Sequence, residues 1–144
     1  MPSLATGRCI GDRAILSVAT YNCEGLLSAL PYVEELLHSR DIVFLAETWL
    51  SRAEEYLLPS FLQDLPRSDY FVIQEYAMDL PPGASEGRRH GGVAMICRNR
   101  PDLHFTQVPC DDVRLCAVNV CDSLGPRLTV LAVTCHFGTL GVLI

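Results

Sequence analysis

Two side chains in the sequence are suited to holding a metal ion against a phosphate group, the amide of Asn22 and the carboxylate of Glu47. Each follows a short apolar segment typical of a buried strand, and a helix-like stretch lies between the two segments. A strand–helix–strand unit of this length makes the strands parallel and brings their carboxyl ends to one edge of a sheet. Because neighbouring strands lie about 4.8 Å apart, the pattern predicts that the two side chains can share one ligand.

The chemistry of this pair matches what magnesium requires. Mg²⁺ in proteins is usually held by one or two carboxylates, together with water and phosphate oxygens. Glu47 suits the role of metal ligand, with Asn22 orienting a carboxylate, a water or a phosphate oxygen. A structural interpretation is also open, in which Asn22 caps the turn before Glu24 and Gly25 and Glu47 pairs with a surface arginine.

The elements that must position the pair predict an α/β fold. Residues 14–21 and 42–46 are interpreted as strands, the second one covered on both faces. The helix between them is predicted to have Pro31 in its first turn, with Glu34 and Glu35 just inside it.

The rest of the chain predicts one more short helix and a series of strands. Residues 79–91 are interpreted as a loop by composition. Short links rich in turn residues between the later strands indicate antiparallel pairing. The predicted helix covers residues 57–65, and the predicted strands cover residues 70–76, 92–98, 103–108, 113–121 and 128–135.

Composition narrows the function classes. A chain of 144 residues that is 49% hydrophobic fits one folded domain, and its net charge of −6 argues against a uniformly basic nucleic-acid binder. Seven cysteines without a Cys-x-x-Cys pair disfavour a zinc knuckle or a disulfide framework and favour an intracellular, reducing compartment. The uncharged stretch at residues 128–144 is interrupted by polar residues and glycines, so we expect no membrane partner. Oligomeric state is left open.

Four blocks of sequence, in the same order, resemble the endonuclease/exonuclease/phosphatase superfamily. They are residues 15–25, 41–50, 90–96 and 128–136. Within them, Ala46-Glu47-Thr48-Trp49-Leu50 and Gly91-Gly92-Val93-Ala94 look most like the endonuclease domains of non-LTR retrotransposons.

The resemblance implies a four-layer α/β sandwich with mixed sheets that hydrolyses phosphoester bonds with Mg²⁺ or Mn²⁺. Asn22 and Glu47 match active-site residues of that family, and Glu47 matches a metal ligand. It also implies a nucleic-acid substrate, DNA more than RNA.

The sequence departs from the family at its later motifs. Neither a Gly-Asp-x-Asn nor an Asp-His motif occurs in the chain. His136, at the end of Thr134-Cys135-His136, matches a phosphate-binding or acid group in some branches, and a plain histidine at a strand exit is equally open. We therefore expect residues 1–13 to be a lead and residues 14–144 to be the N-terminal part of a truncated domain. Such a chain is predicted to bind the metal weakly and to be inactive or nearly so.

Arginines near the Gly91-Gly92 turn form the densest basic cluster. Arg88 and Arg89 are candidates for binding the substrate backbone, and Arg98 and Arg100 follow one strand-length later. A solvated loop and strand end is the alternative. Trp49 is interpreted either as a base-stacking residue or as an aromatic ring that closes the core.

Three functions remain open from the sequence. The first is part of a DNA endonuclease of retroelement origin, and the second is a fragment of a phosphatase of the same superfamily. The third is a non-catalytic binding or interaction module. The Glu47-Thr48-Trp49 and Gly91-Gly92-Val93-Ala94 blocks favour the first over the second.

Overall fold

The computed structural model describes residues 3–7, 16–67, 69–78, 90–134 and 140–143 of the chain. They form three layers, in which helices cover one face of a first sheet and a second sheet packs on its other face. The helices are α1 (Leu26–Ser39), α2 (Leu57–Gln63) and a 3-10 turn (Arg52–Glu54). The strands are β1 (Ser3–Gly7), β2 (Leu16–Asn22), β3 (Ile42–Ala46), β4 (Tyr70–Met78), β5 (His90–Arg98), β6 (His104–Val108), β7 (Leu115–Asp122), β8 (Gly125–Thr134) and β9 (Leu140–Leu143).

The strand order confirms the α/β class. The first sheet has the order β1-β2-β3-β5-β4 and is mixed, because β2 and β3 are parallel while its other pairs are antiparallel. The second sheet, β6-β7-β8-β9, is antiparallel throughout. The architecture agrees with part of an α/β sandwich. In the described part of the chain, no helix covers the outer face of the second sheet.

The central strand β3 shows why the layers hold together. All five of its residues are buried. Val43 and Leu45 pack into the core beneath α1 and α2, while Phe44 packs into the core between the two sheets. A continuous apolar run is therefore required here, because both faces of the strand are covered.

The helix between β2 and β3 begins earlier than its sequence predicts. Pro31 lies inside α1 rather than in its first turn, and the first turn contains no acidic residue. The reason is tertiary, since the Gly25 and Leu26 amides donate to the carbonyls of Glu47 and Thr48 at 2.9 and 3.0 Å. The residues after β3 thus satisfy helix-terminal donors five residues before the proline.

Two further features differ from the sequence interpretation. β5 and β6 follow one another closely but lie in different sheets, so their short link crosses between layers instead of forming a hairpin. β1 pairs with β2 and β9 pairs with β8, which extends both sheets by strands that the alternation of apolar residues did not reveal. The domain boundary at residue 14 stays a prediction, although β1 lies upstream of it.

The cysteines whose state the structure describes are free thiols. The intracellular compartment stays a prediction. Burial raises the pKa of Cys23, Cys97 and Cys116 to about 12 in each case. These three thiols therefore act as small apolar side chains rather than as nucleophiles or ligands. None of the described helices has the length and apolar character needed to cross a bilayer.

Candidate active site

Asn22 and Glu47 lie side by side at one edge of the first sheet. Asn22 is the last residue of β2 and is the register partner of Ala46 in the parallel strand β3, and Glu47 follows directly. The Cys23 amide donates to the Ala46 carbonyl at 2.8 Å, so the two strands stay paired up to this edge. The sequence prediction that these residues meet at one sheet edge agrees with the backbone, while their chemical roles stay predictions.

The side-chain oxygen of Asn22 stabilises the turn that follows β2, while its side-chain NH₂ group stays available for a ligand. Its Oδ1 accepts a hydrogen bond from the Glu24 amide at 3.2 Å, an arrangement typical of an Asx turn. The capping interpretation is therefore correct for the oxygen. The side-chain NH₂ group has no partner among the residues the structure describes, and it can donate to a ligand at the edge.

The carboxylate of Glu47 is fixed through a single oxygen. Its Oε2 accepts from the indole N–H of Trp49 and from the Gly91 amide, each at 3.0 Å. No arginine within the described ranges pairs with it, and Oε1 has no donor there. A half-buried carboxylate with one saturated and one open oxygen matches the geometry of a ligand rather than of a surface ion pair.

The backbone of this edge is strained. Glu24, Glu47 and Trp49 are the non-glycine residues with positive φ in the described structure, at 47°, 53° and 59°. Left-handed backbone costs an ordinary residue about 1–2 kcal/mol, and residues that keep it cluster at functional sites. All three lie within three residues of the end of β2 or β3. The strain therefore marks the same edge as Asn22 and Glu47.

Two glycines make the edge possible from the side of β5. Gly91 and Gly92 have φ values of 82° and 85°, and their carbonyls accept from the Trp49 and Thr48 amides at 3.1 Å. A Cβ on Gly92 would collide with the Thr48 hydroxyl and lie 3.3 Å from the Ala77 and Trp49 nitrogens. Both glycines are thus needed for their left-handed backbone, and Gly92 also for the close approach of Thr48. The Gly91 amide in addition donates to Glu47.

The donor set can hold a divalent cation only in part. Glu47 offers one carboxylate oxygen and Asn22 stands beside it, which fits Mg²⁺ bound mainly by water and phosphate. No group of three or more His, Cys, Asp or Glu side chains within the described residues forms a closed metal site. The residues fit a magnesium ion that the substrate helps to bind, and they do not fit a tight structural metal.

Two arginines of the sequence cluster, Arg98 and Arg100, lie within the described residues, and both bind protein groups. Arg98 donates to the Leu37 and Arg40 carbonyls at 2.8 and 2.9 Å and so holds the carboxyl end of α1. Arg100 pairs with Asp41 and Asp102. Both lie at the end of β5 opposite Gly91, where protein groups rather than solvent alone bind their guanidinium groups. Arg88, Arg89 and His136, the other sequence candidates, lie outside the described residues.

A cation that sequence reasoning passed over lies on the site's own side of the sheet. The guanidinium of Arg52 stacks over the ring of Tyr76, 4.8 Å from its centroid. Tyr76 donates to Glu55 at 3.0 Å, and burial together with this bond raises the pKa of Tyr76. The Ala77 amide donates to the Leu50 carbonyl at 2.7 Å, which joins this strand end to the residues after Glu47. No spacing rule would have connected Arg52 with Tyr76.

A shallow pocket of about 160 Å³ lies elsewhere, against the carboxyl half of α1 and the start of β4. It is bordered by Glu34, His38, Arg67 and Tyr70, together with three apolar residues. Asn22 and Glu47 are not part of it. The candidate chemistry therefore lies on an open edge rather than in the pocket.

Comparison with known proteins places the chain in a family. The profile of the endonuclease/exonuclease/phosphatase family matches residues 19–136. Among solved structures, a 3'-5' exonuclease from Neisseria meningitidis is 24% identical, over 82% of this chain and 41% of that chain, with a TM-score of 0.49. The chain thus spans less than half of that exonuclease's length. No curated protein matches significantly.

Proposed function

This chain belongs to the endonuclease/exonuclease/phosphatase family, and we propose that it carries one edge of the active site of a magnesium-dependent nucleic-acid phosphodiesterase. In this proposal Glu47 is the metal ligand and Asn22 orients the phosphate. The observation that supports it most is the half-saturated carboxylate, with Oε2 held by two N–H donors and Oε1 left without a donor among the described residues. Glu47 directly follows Ala46, the register partner of Asn22.

The roles follow from what phosphodiester cleavage requires. Attack needs an activated water and neutralised charge on the phosphoryl oxygens, and bound Mg²⁺ would supply that neutralisation. Glu47 contributes an anionic oxygen in a fixed orientation. The Asn22 amide can donate a hydrogen bond to a phosphoryl oxygen. Neither residue is a general base.

The substrate we favour is DNA, cleaved by an endonuclease of retroelement type. The support is the resemblance of Ala46-Glu47-Thr48-Trp49-Leu50 and Gly91-Gly92-Val93-Ala94 to such domains. Because the Gly-Asp-x-Asn and Asp-His motifs are absent from these 144 residues, we expect this chain by itself to bind metal weakly. It should cleave slowly or not at all.

Metal binding is the direct test. Mn²⁺ binding to the full chain is measured by electron paramagnetic resonance, with Mg²⁺ as competitor. We expect Glu47→Gln to weaken binding about tenfold or more, because it removes the charge of the proposed metal ligand. Glu35→Gln, an exposed carboxylate on α1, is the matched control and should bind like wild type. Equal affinity of wild type and Glu47→Gln would overturn the proposal.

Cleavage is tested separately by nicking of supercoiled plasmid in Mg²⁺ or Mn²⁺. We expect little or no nicking by this chain. Robust cleavage that Glu47→Gln abolishes would support the site and refute the expected inactivity. Robust cleavage that survives Glu47→Gln would place the chemistry elsewhere.

A further inference from the structure

We propose that Trp49 is a positioning residue for Glu47, and that its indole N–H, together with the Gly91 amide, turns Oε1 of the carboxylate toward the metal and phosphate. The inference rests on the proposed function, because it assigns a task to the hydrogen bonds around the candidate ligand. It replaces both sequence interpretations of Trp49, base stacking and core closure, with a third role.

The first argument is the distribution of donors. Both N–H groups that reach the carboxylate bind the same oxygen, at 3.0 Å each. Two donors from different parts of the chain, Trp49 and Gly91, on one oxygen restrict the rotation of the carboxylate about its terminal bond. The other oxygen is then held in one place without a hydrogen bond of its own. Metal-binding carboxylates are commonly oriented by hydrogen-bond donors in this way.

The second argument is the backbone of Trp49 itself. A tryptophan at φ 59° is unfavourable, and Glu47, two residues earlier, is also left-handed at 53°. The conformation persists because the Thr48 and Trp49 amides bond to the Gly92 and Gly91 carbonyls at 3.1 Å. This path folds the indole back toward the carboxylate that precedes it. A ring that only filled space would not need such a path.

The third argument is the packing of the Trp49 ring against Gly25. A Cβ added to Gly25 would lie 3.0 Å from Cε3 of Trp49 and 3.1 Å from Cζ3. The six-membered ring therefore rests over Gly25, at the start of α1, while the pyrrole N–H reaches Glu47. The indole is held at both ends, so its N–H is directed rather than free to rotate.

The experiment compares three variants of the full chain in Mn²⁺ binding. Trp49→Phe keeps an aromatic ring over Gly25 and removes only the donor. We expect it to weaken Mn²⁺ binding about tenfold. Tyr76→Phe is the matched control, since it also removes an aromatic donor from a carboxylate, Glu55, and it should bind Mn²⁺ like wild type. Glu47→Gln supplies the reference for loss of the ligand.

A second measurement decides the question even where Trp49→Phe does not fold. Trp49 is the only tryptophan, so the chain gives a single indole N–H resonance. We expect Mg²⁺ to shift this resonance in wild type and not in Glu47→Ala. Without Mg²⁺, Glu47→Ala should move it upfield and speed its exchange with solvent, because the acceptor is gone. A merely structural tryptophan would show no response to Mg²⁺.

The outcomes separate the two proposals. Wild-type Mn²⁺ affinity in Trp49→Phe, alongside weakened Glu47→Gln, would overturn the positioning role and leave the proposed function standing. An indole resonance indifferent to Mg²⁺ while Glu47→Gln still weakens binding would do the same. If Glu47→Gln binds Mn²⁺ like wild type, the proposed function fails and the positioning role fails with it.

Discussion

Two carboxylates bracket the same strand, Asp41 before β3 and Glu47 after it. Asp41 is buried, and its Oδ2 accepts from the Ser17 amide and hydroxyl at 3.0 and 3.1 Å while its Oδ1 accepts from Arg100 at 3.3 Å. Glu47 is half-buried and uses one oxygen for both of its donors. One end of the strand therefore has a saturated acid and the other a half-saturated acid.

The difference distinguishes structure from candidate chemistry. Asp41 ties β2 and β3 to the end of β5, since its carbonyl also accepts from the Arg98 amide at 2.7 Å. Its backbone is not among the positive-φ residues, whereas Glu47 lies among several. Both residues are carboxylic acids next to β3, so the distinction comes from which acceptor sites remain open.

The largest expected effect concerns the backbone of the Glu47 end. Gly92→Ala should lower the free energy of unfolding by about 3 kcal/mol or more, because left-handed strain adds to a collision with Thr48. Gly91→Ala, with a similar φ but open space around its Cβ, should cost only about 1–2 kcal/mol. Urea denaturation followed by circular dichroism compares them. Equal costs would mean that close approach is unimportant at this edge.

The next effect contrasts the two acids directly. Asp41→Asn should cost about 2 kcal/mol, since its NH₂ group must face a donor and Arg100 loses one of its two carboxylate partners. Glu47→Gln should cost less than about 1 kcal/mol, because its single oxygen can keep both donors while its NH₂ turns to the open side. Thermal or urea unfolding measures both. A larger loss of stability in Glu47→Gln than in Asp41→Asn would contradict the assignment of Asp41 as the structural acid.

A smaller effect tests the arginines at the Asp41 end. Arg98→Met should lower the free energy of unfolding by about 1 kcal/mol, because two carbonyls at the end of α1 lose their donor. Mn²⁺ affinity should be unchanged. Arg67→Met removes an exposed arginine and should stay within about 0.5 kcal/mol of wild type. A drop in Mn²⁺ affinity with Arg98→Met would show that the two ends are coupled.

The smallest expected effect is on how the free energy of unfolding depends on pH in the acid range. The Arg100 hydrogen bond lowers the pKa of Asp102 below its ordinary value of 3.8. A lowered folded-state pKa means that this contribution is present above about pH 3.8 and is lost as the pH falls through the folded value. Stability measured from pH 5 downward should therefore fall less steeply in Asp102→Asn than in wild type. An identical slope would show that the exposed pair contributes nothing.

Much of the fold could be predicted because it is local. The continuous apolar run of β3 and the helical repeat before it predict the parallel unit, and the turn residues predict most of the later strands. Two predictions are wrong, the place of Pro31 in α1 and the pairing of β5 with β6. Both depend on contacts with distant residues, the 47–48 carbonyls in one case and the choice of sheet in the other.

The candidate site also contains residues that local sequence predicts and residues that it does not. Asn22 and Glu47 were found because they follow paired strands, and Arg98 and Arg100 were grouped with Arg88 and Arg89 because they are close in sequence. The structure separates Arg98 and Arg100 from the edge by the length of β5. Arg52 and Tyr76 stack on each other on the side of the sheet where Asn22 and Glu47 lie. They are far apart in sequence, and no sequence pattern predicts their contact.

The sequence by itself determined that an amide and a carboxylate would meet at one edge, because a strand–helix–strand unit fixes the direction of both strands. Only the tertiary structure decided how that carboxylate is held. Its second donor, the Gly91 amide, lies 44 residues away, and the left-handed backbone at Glu47 and Trp49 depends on the Gly91–Gly92 carbonyls. Apolar periodicity encodes which face of a strand is buried, and it contains no information on which distant N–H group will reach a given oxygen.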